Sequence, residues 1–451
     1  MQTIKNPESP ARLRLAQLFD DGSFREFGAY RKEQENPAAV VTAFGYVNGN
    51  PVYAFAQDPS ICHGAVGSAQ AEKIAKVLTL AAKTGAPVVG IYDSNGAFVD
   101  GSAASLNAYS LILKRTAQLS GVVPQIALVA GVCAGSMAMA AAASDFVVMT
   151  EDAELFLTPA FDKGAGTAKA AAANGTAAVV AADEAEAIAK VRALVNVLPV
   201  NNMASVPCME FDAPAAAAGS DLNSTVESIA DGGSVVELYA GFAGAAYTAL
   251  ATVAGTTVGI AATNKTDDKL TEADCAKLAR FVRVCDAFSI PVVTLVDTLG
   301  FDGSAATELA GDVKALTRLA GSYAEATTAK ISVVTGKAVG PVFVALAGKG
   351  SNSYFTYALD GAYIAPLAPE AAVEFLWHDK LKGCDDLNAK RKELAKEYTE
   401  TLASADAAAQ QGAVDDVIAA SELRDVIVGA LSMLEGKRVT NLPKKHTNLP
   451  Y

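Results

Sequence analysis

Charge is scarce in this sequence. Only 19% of its 451 residues are charged and 51% are apolar, the composition of a folded chain rather than a disordered one. Lys and Arg number 36 against 49 Asp and Glu, a net charge of −13. That balance excludes a general nucleic-acid or anionic-membrane binder, which needs a basic surface. It leaves room for a small basic pocket holding a phosphate-bearing ligand. Histidine is nearly missing: His63, His378 and His446 lie far apart, without HxxxH or HExxH spacing. No metal site is expected from them. The six cysteines (Cys62, Cys133, Cys208, Cys275, Cys285, Cys384) form no CxxC pair, so reduced thiols in a cytoplasmic protein are expected. Cys133 reads as a small buried hydrophobe. Missing too are a GxSxG elbow, a GxxxxGK[ST] loop and a GxGxxG after a strand, which removes the nucleophile and nucleotide sites those motifs build. One run, residues 116–144, is uncharged and long enough to span a bilayer. Gly121, Pro124, Gln125, Gly131 and Gly135 break it into a buried strand, turn and helix instead. The opening MQTIKNPESPARLRLAQLFDD is polar and mixed in charge, unlike a secretory leader.

What is present is a duplication. GAPVVGIYDSNGAFVDG (85–101) matches SIPVVTLVDTLGFDGS (289–304), pairing Asp93 with Asp297 and Gly96 with Gly300 at an offset of 204. VPQIALVAGVCAGSMAMA (123–140) matches TAKISVVTGKAVGPVFVA (328–345), pairing Gly131 with Gly336 and Gly135 with Gly340 at an offset of 205. The helix-like AEKIAKVLTLAAKTG and EADCAKLARFVRVCDAF precede the first match in each half. Several matches at nearly one offset mark a repeated domain. Apolar strands alternating with helices predict α/β folding. The expected division is 1–205, an interdomain segment 206–230, and 231–451. VPCMEFDAPAAAAGSDLNSTVE (206–227) reads as a linker, and residues 164–191, rich in alanine, as helix or loop. DDLNAKRKELAKEYTETLAS and ASELRDVIVGALSMLEGKR read as amphipathic helices, and TNLPKKHTNLPY as an irregular tail.

Each half carries two glycine turns after apolar strands. Glycine allows positive φ and close approach of a ligand, and two such turns side by side can aim two backbone N–H groups at one oxygen, an oxyanion hole. The plainer reading is tight strand–helix packing, which four turns at matching offsets make less economical. Ser94 and Thr298 read as turn residues whose hydroxyls satisfy nearby backbone.

The stretches RLAQLFDDGSFREFG, AEKIAKVL, TGAPVVGIYDSNGA, GVVPQIALVAGVCAGSM, YAEATTAKISVVTGKA and LEGKRVTNLPKKHTNLP resemble the carboxyltransferase subunits of biotin-dependent acyl-CoA carboxylases and CoA-linked decarboxylases, from Arg12 to Tyr451. The resemblance implies two crotonase-like (ClpP/crotonase) domains of the ββα-spiral type, a homohexamer, and a carboxyl group moved between biotin and the α-carbon of a small acyl-CoA. It implies that biotin itself takes the α-proton, which suits a sequence with no candidate base. The first half would hold acyl-CoA, with the amides of Gly96, Ala97, Gly135 and Ser136 on the thioester oxygen. The second would hold biotin through Gly300, Phe301, Gly340 and Val342. With no AMKM motif and no ATP-grasp-like segment, biotin is expected on a separate carrier protein, alongside a biotin carboxylase subunit or membrane decarboxylase subunits. Localisation is expected to be cytoplasmic, with any membrane association through such partners.

The chain departs from the family pattern at Asn95 and Ser136, which replace glycines, at Phe98, which replaces arginine, and at Pro341. Pro341 has no N–H and follows Gly340 beside the biotin-side turn. Two other readings therefore stay open: a catalytically degenerate structural partner, and a crotonase-type hydratase or isomerase working without biotin. Against the latter, no acid follows Gly135 before Asp145 or Gly340 before Asp360. Lys163 and Lys169 are near the first half's turns in sequence only, and read as solvated.

Overall fold

The computed structural model describes residues 5–159, 162, 164–217, 219, 221–263, 269–350, 353–439 and 442–449. The chain divides into two compact units, Met1–Pro207 with Tyr239–Phe242, and Cys208–Leu238 with Ala243–Tyr451.

In the first unit the sheet runs Arg25–Phe27, Val40–Val47, Asn50–Gln57, Val88–Ser94, Gln125–Ala134, Phe146–Thr150, Val179–Ala181, with Glu154–Phe156 paired to Gln125–Ala134 off this path. The first two pairings are antiparallel and the rest parallel. The parallel strands are mostly apolar, as strands covered by helices are. Val88, Val89 and Ile91 are buried, as are Ile74 and Val77 of helix Ser68–Thr84 and Ile112 of helix Ala103–Leu119. Burying each such side chain stabilises the fold by about 1.5–3 kcal/mol. Helix Ser68–Thr84 ends on Gly85, whose φ of 68° makes the left-handed cap that glycine takes at little cost.

The second unit repeats the same order with Val236–Leu238, Tyr247–Val253, Thr256–Ala262, Val292–Thr298, Lys330–Val339, Phe355–Leu359 and Asp416–Ile418, and again one short strand, Tyr363–Ala365, pairs off the path with the longest. The duplicated, mixed α/β arrangement expected from the offsets is thus present strand by strand.

The repetition extends to buried polar contacts. Lys73 donates to the Val40 carbonyl, and Lys277 to that of Ala246 at 2.8 Å. The tight turns after Val40–Val47 and Tyr247–Val253 have positive φ at both central residues, Asn48-Gly49 and Ala254-Gly255, the geometry of a two-residue hairpin. In the first unit Asp20 accepts from the amides of Asn48 and Gly49 at 3.0 and 2.9 Å and pairs with Arg192, which also donates to the Leu18 carbonyl. In the second, Asp231 accepts from Ala254 and Gly255 at 3.0 and 2.8 Å and pairs with Arg424, which donates to the Ile229 carbonyl.

The segment read as a linker packs against the second unit: Met209 donates to the Gly255 carbonyl at 2.9 Å, and helix Leu222–Ile229 follows it. The alanine-rich stretch resolves into helix Ala168–Ala173, strand Val179–Ala181 and the start of helix Glu184–Val197. The charged helices are Leu387–Glu400 and Leu423–Leu434, and residues 442–449 have no regular structure, while Pro450 and Tyr451 lie outside the described residues. The uncharged run 116–144 contains strand Gln125–Ala134 and helix Ser136–Ala142. Among the described residues no helix is long and apolar enough to cross a membrane.

Candidate active site

Strand Gln125–Ala134 is longer than its neighbour and shifts register beside it, from Tyr92 opposite Val129 to Ser94 opposite Cys133. The extra residues wrap the Asp93 carboxylate. Val132 donates to Asp93 Oδ1 at 3.3 Å, and a Cβ on Gly131 would lie 2.4 Å from that oxygen. The other oxygen pairs with Arg14 at 2.7 Å, and Arg14 also reaches Glu184 at 2.9 Å. The second unit repeats the shift between Val296 and Thr298. Lys337 donates to Asp297 Oδ1 at 2.9 Å, and a Cβ on Gly336 would lie 2.5 Å from the Asp297 Cγ. Gly131 and Gly336 are therefore glycines because a carboxylate fills their side-chain space.

The remaining glycines sit where the strands end. Gly96 has φ 119°; its N–H donates to Ser94 Oγ at 3.2 Å, and that hydroxyl returns a bond to the Gly96 carbonyl at 3.3 Å. Val66 donates to the Gly96 carbonyl and Phe98 to the Val66 carbonyl. In that parallel bridge Ala97's own N–H faces away from Val66. Gly135 donates to the Phe156 carbonyl at 2.9 Å, and its carbonyl accepts from Ala138 at 3.0 Å. Helix Ser136–Ala142 begins just after it, so the first N–H groups of that helix have no partner within it. A Cβ on Gly96 would lie 3.9 Å from the Ala134 carbonyl oxygen, while one on Gly135 would meet nothing within 4 Å. The two turns thus sit side by side around open space.

Of the four residues expected on the acyl side, Gly96 and Gly135 have their N–H groups committed to Ser94 and Phe156. Among the described residues those of Ala97 and Ser136 are not hydrogen-bonded. The two glycines, at positive φ, turn the chain just ahead of these two amides. The second unit repeats the two glycine turns. Gly300 (φ 108°) donates to Thr298 Oγ1 at 3.2 Å, Leu270 donates to the Gly300 carbonyl, and Asp302 to that of Leu270. Gly340 donates to Ala365 at 2.8 Å. Phe301 and Val342 keep unpartnered N–H groups among the described residues. Pro341 stands at the first position of helix Pro341–Leu346.

Among the described residues, the cysteine beside the turns is no reactive nucleophile. Cys133 is wholly buried, and burial, reinforced by nearby Asp93, pushes its thiol far up, the mark of an inert cysteine. Lys169 is exposed, and Lys163 lies outside the described residues. Sequence reasoning missed Arg14, 8% exposed and 79 residues from the carboxylate it holds. A lone arginine in a short helix carries no local signal of such a partner. A cavity of about 770 Å3, lined by Arg25, Phe44, Tyr46 and Tyr53 among others, reaches Thr84–Ala86. It therefore opens at the starts of these strands and is separate from the turns at their ends.

A family model for the carboxyl transferase domain matches residues 5–449. The carboxyltransferase subunit of propionyl-CoA carboxylase from Haloferax mediterranei is 34% identical, over 98% of this chain and 93% of that protein. The alpha subunit of methylmalonyl-CoA decarboxylase from Propionigenium modestum is likewise 34% identical over 98% and 93%. Among solved structures, the transcarboxylase 12S hexamer with methylmalonyl-CoA bound aligns with a TM-score of 0.92 at 33% identity, over 98% of this chain and 92% of that one. The repeated crotonase-like units, their paired glycine turns and these likenesses over nearly the whole length lead to one conclusion: the chain belongs to the carboxyl transferase family, the carboxyltransferase subunits of acyl-CoA carboxylases and CoA-linked decarboxylases.

Proposed function

We propose that the chain is the carboxyltransferase component of a biotin-dependent acyl-CoA carboxylase or decarboxylase, moving a carboxyl group between biotin on a separate carrier protein and the α-carbon of a small acyl-CoA. The carrying observation is that, among the described residues, the amides of Ala97 and Ser136, which follow the ends of adjacent buried strands, have no hydrogen-bond partner. In the proposed site they hold the thioester oxygen of acyl-CoA. When the α-carbon loses its carboxyl group, or gives up its proton to biotin before gaining one, the electron pair left behind shifts onto that oxygen, and preorganised donors stabilise the enolate. Buried strands on either side fix the donors before substrate arrives, which is where such stabilisation originates. Biotin, when bound, supplies the ring nitrogen that carries the carboxyl group. The second turn fits its cyclic urea, because Phe301 offers a carbonyl acceptor an unused N–H beside Gly340.

A homohexamer accords with the apolar side chains exposed near both turns, Val99, Leu106 and Met139 in the first unit and Leu309, Val313 and Val344 in the second, since apolar surface of that kind marks an interaction site. The proposed partners are a biotin carrier protein and either a biotin carboxylase subunit or membrane decarboxylase subunits, and the proposed location is the cytoplasm.

The test is CO2 release from malonyl-, methylmalonyl- and glutaconyl-CoA by the purified chain, with and without free biotin. Biotin-stimulated turnover of one substrate is the expected result and names the acyl group. A folded chain that binds CoA esters yet turns over none of the three would replace this reading with that of a degenerate structural partner.

A further inference from the structure

The two units allow a comparison within one molecule. Gly135 and Gly340 adopt the same backbone conformation, φ 67° and ψ −144° against φ 66° and ψ −144°. Each donates its N–H to the last residue of the short off-path strand, Phe156 or Ala365, and each accepts from the third residue on, Ala138 or Phe343, at 3.0 and 3.1 Å. Ala97 and Phe301 correspond in the same way, each bridged to a residue, Val66 or Leu270, that accepts from the amide beyond it. The frames are equal, and one donor differs. Where the first unit has Ser136, the second has Pro341.

Val342 does not restore the missing donor. It stands where Met137 stands, with its side chain equally buried at 0% exposure. One residue further along a helix, it lies about 100° further around the axis and about 1.5 Å along it, so its N–H addresses a different point from that of the first helical residue. Nor does proline serve the fold at another's expense, because the first helical position tolerates it best. The loss falls on whatever the turn binds.

We propose that the second turn is built for a neutral carbonyl held by the single donor of Phe301, and that the two-donor arrangement an oxyanion requires exists only in the first unit. Developing negative charge is then stabilised on the acyl-thioester side alone, and Pro341 sets the weak affinity of the second turn for the cyclic urea of biotin. The inference rests on the carboxyl-transfer reading above.

Isothermal titration of the purified full chain with D-biotin, and separately with propionyl-CoA, tests it. Pro341→Gly and Pro341→Ala both return an N–H to the turn, and each is expected to bind D-biotin roughly three- to tenfold more tightly than the unaltered chain. Ser136→Pro, which imposes on the first turn the deficit of the second, is expected to weaken propionyl-CoA by a similar factor. No gain in either Pro341 variant, with the Ser136→Pro loss present, overturns the inference and leaves the carboxyl-transfer reading standing. No propionyl-CoA binding by the unaltered chain, or none lost in Ser136→Pro, overturns that reading and the inference with it.

Discussion

Single atoms decide what each glycine here is for. A methyl group on Gly131 would collide with the Asp93 carboxylate, and one on Gly336 with Asp297. Gly131→Ala is expected to destabilise the chain by about 1–3 kcal/mol, read as a lower urea midpoint. Ser136→Pro is expected to lower decarboxylation kcat by about 10²- to 10³-fold, the usual cost of one oxyanion donor, with an unchanged thermal midpoint because Pro341 already occupies the matching position. Two buried lysines make stability depend on pH. Burial pulls Lys73 and Lys330 down to about 8 from 10.5, so between these values the unfolded chain binds more protons and stability rises with pH. Burial pushes Cys275 up to about 12 from 9.0, so above about 9 the unfolded chain sheds that proton first and stability falls. The thermal midpoint is therefore expected to climb from pH 8 to 9, and to climb less in Lys73→Met. The turns were legible from the sequence because a glycine at a fixed offset is itself the signal. Which amide stays free was not legible, since that depends on Ser94 and Phe156 reaching Gly96 and Gly135 in space.

At the scale of elements, the hairpin caps carry the tightest electrostatics. Asp231 has a side chain only 1% exposed, whereas Asp20 is 31% exposed. Burial raises the Asp231 carboxyl, but the Arg424 pair and the amides of Gly255 and Ala254 outweigh it and hold the group below the ordinary range. Its stabilising contribution is thus full above that ordinary range and is lost as pH falls through the lowered value. Asp231→Ala is expected to cost about 3–5 kcal/mol, as when one member of a buried pair is removed, and Asp20→Ala distinctly less, both by urea unfolding. Ala254 sits at φ 49° where its counterpart is Asn48. Alanine in that region costs about 1–2 kcal/mol, so Ala254→Asn is expected to raise the urea midpoint. Strand order was foreshadowed by apolar runs and offsets. These caps were not, because Asp231 and Arg424 lie 193 residues apart and the second hairpin has lost the asparagine that marks the first.

For the whole molecule, the duplication offers one architecture for both carbonyl groups of the proposed reaction, and the proposed hexamer predicts a sedimentation mass of six chains that persists without biotin or CoA esters. The duplication was visible in the sequence; the boundary between its halves is less simple than a linker. Residues Tyr239–Phe242 belong to the first unit although 31 residues of the second precede them, Cys208–Leu238. Tyr239 donates to the Ala178 carbonyl at 2.7 Å, and Phe242 fills the space beside Gly175. On the ribosome, then, the first unit stays incomplete until residue 242 has emerged, by which time the opening helix and strand of the second are already outside. The halves of this gene cannot be separated by one cut: wherever a single break falls between 207 and 243, one product leaves without a piece of its own fold.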